Sequence, residues 1–418
     1  MIKNLKEKIY QFLRWSEKYT KTDMVYLAHG GFWLTLTQII SSISIFVLAV
    51  VFANLLPKEV YGTYKYILST IGLLFIFSLS GMNIALIPEI AQGKENLLKT
   101  ARKTKFHYAL IGSLVSIGVA SYYFYKDNYI FSLIYIITAL LFPFWESGTI
   151  YDAYLSGKTD FKRLTIYSSL QTIIISAALI VASLIWRDFL PLLLVYIVLQ
   201  TFITNFYYHR VSNQIKKETE NIKDPHLENY AKHLSINNIL NFISDKIDSV
   251  ILFQILGPSQ LAIYSFAIAI PEQIKSIIKN ISTVSMPKFA QRPIKEIRKN
   301  IWRKLFFLFL GITMVVLIYI FMAPIIYKIF FPNYLESVKF SQIYSLSLLA
   351  TFTIPILSIF QSHKKIKEIY ITNNIGSILL IAFLFLGTYF YGLTGAIISW
   401  IFYRAIYALI LIRYMKNI

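Results

Sequence analysis

The sequence predicts an all-α integral membrane protein with 12 transmembrane helices in two parallel six-helix repeats. Three observations lead there. Of 418 residues, 56% are hydrophobic and only 15% charged, and apolar runs of about 20 residues, enough to cross a bilayer as a helix, recur throughout. Lysine and arginine fall almost entirely on one side of those runs. The second half of the chain also repeats local patterns of the first.

Twelve spans are centred near residues 42, 77, 116, 141, 175, 200, 245, 272, 316, 349, 379 and 403. With the N-terminus inside, 31 of the 41 Lys and Arg lie on the inner side, loops up to Lys105 and Arg163 included. Six lie outside (Lys58, Lys65, Lys126, Arg187, Lys328, Lys339), and Lys246, Lys275, Lys279 and Arg404 fall within spans. This asymmetry over short loops is a positive-inside pattern, so both termini are expected in the cytoplasm and the protein in the cytoplasmic (inner) membrane. The net charge of +20 then follows from topology and from attraction to anionic lipid, and nucleic acid is not expected as a partner. The absence of cysteine excludes disulfides and thiolate metal sites. The six histidines show no metal-ligand spacing, and no cofactor is expected.

Taken in order, residues 1–28 form a basic amphipathic segment. Ile2, Leu5, Ile9, Phe12 and Leu13 share one helical face, as in a helix lying on the inner membrane surface, or the segment is a plain basic tail. Residues 29–211 form the first six-helix lobe. Helix 1 carries no charge, only Gln38 and serines. The turn Leu56-Pro57…Tyr61-Gly62-Thr63-Tyr64 leads into helix 2, which ends at Pro88-Glu89-Ile90-Ala91-Gln92. Helices 3 and 4 meet at Lys126-Asp127-Asn128, and helices 5 and 6 at Arg187-Asp188. Residues 212–231 are the most polar stretch and read as a cytoplasmic linker. Residues 232–418 form the second lobe. In it Phe253, Pro258 and Tyr264 repeat Phe52, Pro57 and Tyr64, and Pro287-Lys288-Phe289-Ala290-Gln291 repeats the end of helix 2. An even number of helices per half makes the repeats parallel, an arrangement that places a transported substance between the halves near midplane.

The candidate site lies in the hairpin of helices 7 and 8, which turns at Gly257-Pro258. A charge at bilayer depth costs about 3 kcal/mol and usually faces a cavity or a partner, and this hairpin holds six. Asp245 and Asp248, three residues apart, share a helix face, with Lys246 about 100° away. They are either ion-coupling carboxylates or members of a fixed ion pair. Glu272, Lys275 and Lys279 line one face of helix 8. Glu272 is placed to neutralise Lys275, leaving Lys279 either to meet an anionic headgroup or to snorkel to the interface. Arg404, near the centre of helix 12, has a planar fork suited to phosphate, or it pairs structurally with Glu146 or an Asp. Trp145 and Glu146 on helix 4 suit a sugar, by ring stacking and by accepting from hydroxyls, though aromatics are common in this chain. Asp152, deeper on helix 4, is a further ion-coupling candidate.

These residues resemble a known family. The Leu56-Pro57…Tyr64 turn, the Gly157…Phe161 loop and Tyr391-Gly392-Leu393-Thr394-Gly395-Ala396 are similar to motifs of the polysaccharide-biosynthesis (O-antigen) flippases. These belong to the multidrug/oligosaccharidyl-lipid/polysaccharide exporter superfamily. The resemblance implies a V-shaped bundle of two lobes around a central cavity. The activity it implies is moving undecaprenyl-diphosphate-linked oligosaccharide repeat units, of O-antigen or capsular type, to the outer leaflet by ion-coupled alternating access. Membrane lipids and the polysaccharide polymerase and chain-length proteins are the implied partners. A drug or metabolite antiporter of the same superfamily is the alternative, although helix 1 lacks the carboxylate many such extruders carry. A membrane polymerase or ligase would need catalytic residues and a sizeable outer loop, and the outer turns here are short. A non-transporting assembly scaffold is the last reading.

Overall fold

The computed structural model describes residues 24–215, 225–284, 289, 293–363 and 365–417. The amphipathic stretch 2–16, residues 216–224 of the linker and Pro287 lie outside them. Every regular element among the described residues is helical. Ten of these helices are long and apolar enough to cross a membrane.

Splitting one of the ten and adding one further helix gives twelve spans. The 52-residue helix Ile366–Asn417 is two spans joined at Gly392, whose backbone (φ 57°, ψ −140°) breaks the helix in a conformation open essentially to glycine alone. Helix Pro225–Leu256 is long enough, but Glu228, Lys232, Asp245, Lys246 and Asp248 make it too polar to be counted by composition. The first half comprises α1 (Met24–Leu55), α2 (Lys58–Leu74, continued through the 3-10 turn Phe75–Phe77 into Gly81–Ala91), and α3 (Leu97–Tyr125). It ends with α4 (Tyr129–Gly148, continued as Tyr151–Gly157), α5 (Phe161–Ile185) and α6 (Phe189–Ser212). The second comprises α7 (Pro225–Leu256), α8 (Pro258–Val284), α9 (Ile294–Phe330), α10 (Ser337–Ser345, continued through Leu346–Thr353 into Ile354–Ser362), α11 (366–391) and α12 (393–417).

Local chemistry sets the ends. Asn128 Oδ1 accepts from Phe131 N (3.1 Å) and Asp160 Oδ1 from Arg163 N (3.0 Å), capping the donors that a helix start leaves unpaired. Pro57 and Pro258 open α2 and α8, where a missing N–H costs nothing. At 37 residues, α9 is about 55 Å long, well beyond a 30 Å hydrocarbon layer. Its first turns, with Lys295, Arg298, Lys299, Arg303 and Lys304, run on past the apolar part at the face that carries the basic loops.

The halves use matching partners. α1 packs on α5 as α7 packs on the α11–α12 unit, α2 meets α4 as α8 meets α10, and α4 contacts α6 as α10 contacts α12. The boundary between halves is formed mainly by α2 against α7 and α8. Phe253 stacks on Tyr66 (3.9 Å between centroids) and Phe266 on Tyr61 (4.7 Å). At the face opposite the basic loops, Lys58 pairs with Glu336, Ser259 bonds Glu59, and Asn54 and Asn333 donate to Phe330 O and Ala53 O.

Candidate functional site

A cavity of about 290 Å³ opens among α7, α8, α10, α11 and α12, lined by Asn241, Ser244, Asp245, Lys275, Lys279, Thr351, Asn373, Ser377, Trp400, Tyr403, Arg404 and Tyr407 among others. All its lining residues belong to the second half.

Its floor is an ion-pair network. Glu272 pairs with Arg404 and accepts from Lys275 Nζ at 2.6 Å and from Tyr344 Oη at 2.6 Å. Arg404 is buried and also donates to Ser347 Oγ (2.8 Å) and Tyr344 Oη (3.0 Å). One carboxylate thus holds two cations, and removing one partner of such a buried pair typically costs about 3–5 kcal/mol. The pairing partner of Arg404 is Glu272, not Glu146 or an Asp. The two cations lie over the Trp400 ring, at 5.0 Å for Arg404 and 6.0 Å for Lys275, where the ring's negative face attracts them. The i, i+4 spacing of Trp400 and Arg404 puts both on one face of α12. Lys279 lines the exposed end of the cavity.

Asp245 and Asp248 part company. Asp245 is exposed and lines the cavity. Asp248 is buried, with Oδ1 accepting from Ser249 N (2.6 Å) and Oδ2 from Tyr264 Oη (2.9 Å), whose oxygen in turn accepts from Trp400 Nε1 (2.7 Å). Lys246 points away from the cavity, its methylenes lying on Gly72 of α2.

Glu146 and Trp145 lie outside the cavity, in the packed interior of the first half. Lys105 Nζ pairs with Glu146 Oε1 (2.8 Å) and donates to Asn83 Oδ1 (2.8 Å) and Thr149 Oγ1 (2.7 Å); Ser78 Oγ also donates to Glu146 Oε1 (2.9 Å). Lys105, counted from the sequence as an inner-loop charge, is 1% exposed, because α3 begins at Leu97 and carries it into the bundle. Trp145 packs edge-on against Phe75 and Tyr196. Asp152 is close to this pair, and its Oδ1 has no hydrogen-bond partner among the described residues.

Sequence reasoning missed Trp400, Tyr344 and Tyr403. The i, i+4 relation to Arg404 could have found Trp400; in a chain with 30 tyrosines, Tyr344 and Tyr403 carry no signal of their own.

The fold is that of solved transporters. The structure resembles lipid II flippase MurJ in its inward closed conformation, with TM-score 0.65 and 15% identity over 91% of this chain and 87% of that one. A MATE transporter in complex with MaD5 matches with TM-score 0.61 and 11% identity, over 94% and 95%. A MOP superfamily transporter from Pyrococcus furiosus, described as having a binding pocket of reverse polarity, gives 0.58 and 11%, over 94% and 95%. At such identities the likeness establishes the fold alone. No curated protein matches the sequence. The family model for "Polysaccharide biosynthesis protein" matches residues 27–293, well over half of the chain. This multi-pass membrane protein therefore belongs to the polysaccharide biosynthesis protein family.

Proposed function

We propose that the protein is a flippase, not an enzyme, which moves undecaprenyl-diphosphate-linked oligosaccharides, of O-antigen or capsular type, from the inner to the outer leaflet of the cytoplasmic membrane. Both termini are cytoplasmic in this reading, so the basic face is the inner one. Residues 29–211 and 232–418 are the two moving lobes, joined by a linker at 212–231. The observation that carries the reading is the second-half cavity, where Arg404, Lys275 and Lys279 stand at membrane depth beside Trp400, Tyr403 and Tyr407. Cations match a diphosphate, ring faces suit sugars, and Asn241, Asn373, Ser244 and Ser377 supply donors and acceptors for hydroxyls. Its volume of about 290 Å³ suits the diphosphate and the first sugar, with the polyprenyl chain left in lipid. The structural likeness to a flippase of another lipid-linked precursor, lipid II, points the same way.

Glu272 gives the mechanism its shape. While ionised it occupies Arg404 and Lys275; to grip phosphate these cations must leave it. Asp245 at the cavity wall is the nearest candidate for ion coupling to that exchange, with Asp248 and Asp152 as further ion-coupling candidates. Polymerase and chain-length proteins are the partners that would receive the product. Binding to the purified protein tests the reading. A farnesyl-diphosphate-linked sugar should bind at least tenfold more tightly than the same lipid-sugar without phosphate, and Arg404→Ala should remove that preference. Equal affinity for both ligands, or preference for a lipophilic cationic drug, would replace this reading with the antiporter one.

A further inference from the structure

The basic end of α9 presents a face that neither the cavity nor the packing of the halves uses. Ile297, Ile301 and Leu305 are buried in a cluster with Ile356 and Phe360 of α10 and Leu411 and Met415 of α12, so the first turns of α9 are fixed to the bundle. The opposite face is exposed. Lys295, Lys299 and Arg303 stand on it at i, i+4 spacing, and Phe306, Leu310 and Met314 carry the stripe onward in steps of three and four, all of them exposed. Such steps keep residues on one side of a helix. The Arg303 guanidinium lies 5.8 Å from the ring centroid of Phe307, one turn along. Among the described residues, none of the three cations belongs to an ion pair or makes a hydrogen bond through its side chain. Elsewhere at the same face of the protein, Lys94, Arg163 and Lys232 each pair with a carboxylate. Counted back from the end of α9 at Phe330, a hydrocarbon layer of about 30 Å at about 1.5 Å per residue ends near Leu310. The apolar half of the stripe therefore meets acyl chains, and the three cations rise from the headgroup layer.

A row of fixed positive charges that no carboxylate answers, continuous with an apolar stripe, matches a ligand in which negative charge and acyl chain follow in the same order. We propose that this face of α9 is a binding site for an anionic phospholipid of the leaflet on the side of the basic loops. Lys299 and Arg303 hold its phosphodiester, Lys295 adds to their field, and an acyl chain lies along Phe306, Leu310 and Met314. The lysine acts on the phosphate as a point charge, while the planar fork of Arg303 fits two of its oxygens. A zwitterionic lipid carries a cation of its own into the same field, so the row selects lipid of net negative charge. Free phosphate has nothing to lay on the apolar stripe, and an acidic protein segment has no reason to follow it into lipid. The start of α3 is the natural comparison, since Lys99 and Lys103 are also exposed at i, i+4 spacing but the next position is His107. The site is on the outer surface of the second half, apart from the cavity, and holds whatever the cavity transports.

The test titrates the full chain in detergent with dioleoyl phosphatidylglycerol or dioleoyl phosphatidylcholine while native mass spectrometry counts the lipids bound. One phosphatidylglycerol should bind at least tenfold more tightly than any phosphatidylcholine. The double variant K299Q/R303Q should weaken that one equivalent at least tenfold, since each basic residue near an anionic headgroup contributes about fivefold. K99Q/K103Q removes the same charge from α3 and should leave it unchanged. A second readout follows lysine acylation in nanodiscs of each lipid. Passing from phosphatidylcholine to phosphatidylglycerol should protect Lys295 and Lys299 at least threefold more than Lys103, and inorganic phosphate added to the phosphatidylcholine nanodiscs should protect neither. Equal loss in the two double variants would reduce the effect to diffuse attraction by a basic surface and overturn the site. Equal binding of the two lipids would overturn it as well and leave the stripe to an acidic protein partner, and protection by inorganic phosphate would replace the lipid by a free anion.

Discussion

Replacing Gly62 by alanine probes the closed seam between the halves. Gly62 begins the second turn of α2, and a Cβ there would stand 1.9 Å from Pro258 O, 2.5 Å from its carbonyl carbon and 3.0 Å from its Cα. All three are backbone atoms of α8, so no side chain can turn aside. Ordinary contact starts near 3.4 Å, so the helices must part by about 1.5 Å, the order of displacement that overpacking forces on backbone at a cost of about 1–3 kcal/mol. That movement carries Asn54→Phe330 O (3.0 Å) and Asn333→Ala53 O (3.1 Å) beyond hydrogen-bond range and loosens Lys58–Glu336 and Ser259–Glu59. At about 0.5–1.5 kcal/mol each, the two lost hydrogen bonds bring the total to about 2–6 kcal/mol against the closed seam. Without the collision the sign would reverse, since alanine in a helix gains about 1 kcal/mol over glycine. Because the chain has no cysteine, a single pair, Glu59→Cys with Ser259→Cys, reports the seam. Disulfide formation should slow at least tenfold when Gly62→Ala is added, with a lower Tm. An unchanged cross-linking rate together with a raised Tm would refute the packing argument.

Three further outcomes follow from other contacts. Lys105→Met leaves Glu146 buried without its cation and should cost about 3–5 kcal/mol, whereas the double change with Glu146→Leu should recover most of the loss, as read from Tm in detergent. Gly392→Ala places a side chain at φ 57°, ψ −140°, and should cost about 1–3 kcal/mol while loosening the turn between α11 and α12, measured by proteolysis at that loop. Outside the spans, the hydrogen bond from Lys158, with that from Tyr154, holds the Glu95 carboxyl below its ordinary value of 4.5. A depressed carboxyl stabilises the folded state above its unfolded pKa, and that contribution is lost as pH falls through the folded value. The Tm of wild type should therefore exceed that of Glu95→Gln at pH 7, and the gap should close in acid below about pH 4.5.

The fold was legible because it rests on composition and spacing. Apolar runs, the one-sided basic loops and the Pro57/Pro258 repeat are properties of sequence windows, and the bilayer allows few ways to satisfy them. Even Pro225–Leu256, too polar for a composition criterion, declared itself through its position between two clear spans. The site was legible in part. Glu272 and Lys275 at i, i+3 predict a local pair, and the structure has it. The long-range partners were not readable. Nothing in a window around Glu146 names Lys105, because that contact depends on how far α3 reaches into the bundle before its first apolar turn. Nor does spacing on α7 reveal that Asp245 meets a cavity while Asp248 is taken up by Tyr264. The i, i+3 offset brings two residues near one face, and the neighbours packed on that face decide which carboxylate stays open.

The central claim is that cations in the second-half cavity carry a lipid-linked diphosphate across the membrane. Its most direct test is flipping of a fluorescent undecaprenyl-diphosphate-linked sugar in proteoliposomes, with and without a pH gradient. Wild type should flip, and faster with the gradient. Arg404→Ala should lose at least 90% of the rate, because it removes a grip that about 1.4 kcal/mol per decade converts into affinity. Asp245→Asn should flip without responding to the gradient. Flipping by Arg404→Ala at the wild-type rate would contradict the claim and leave the Arg404–Glu272 pair a structural bond.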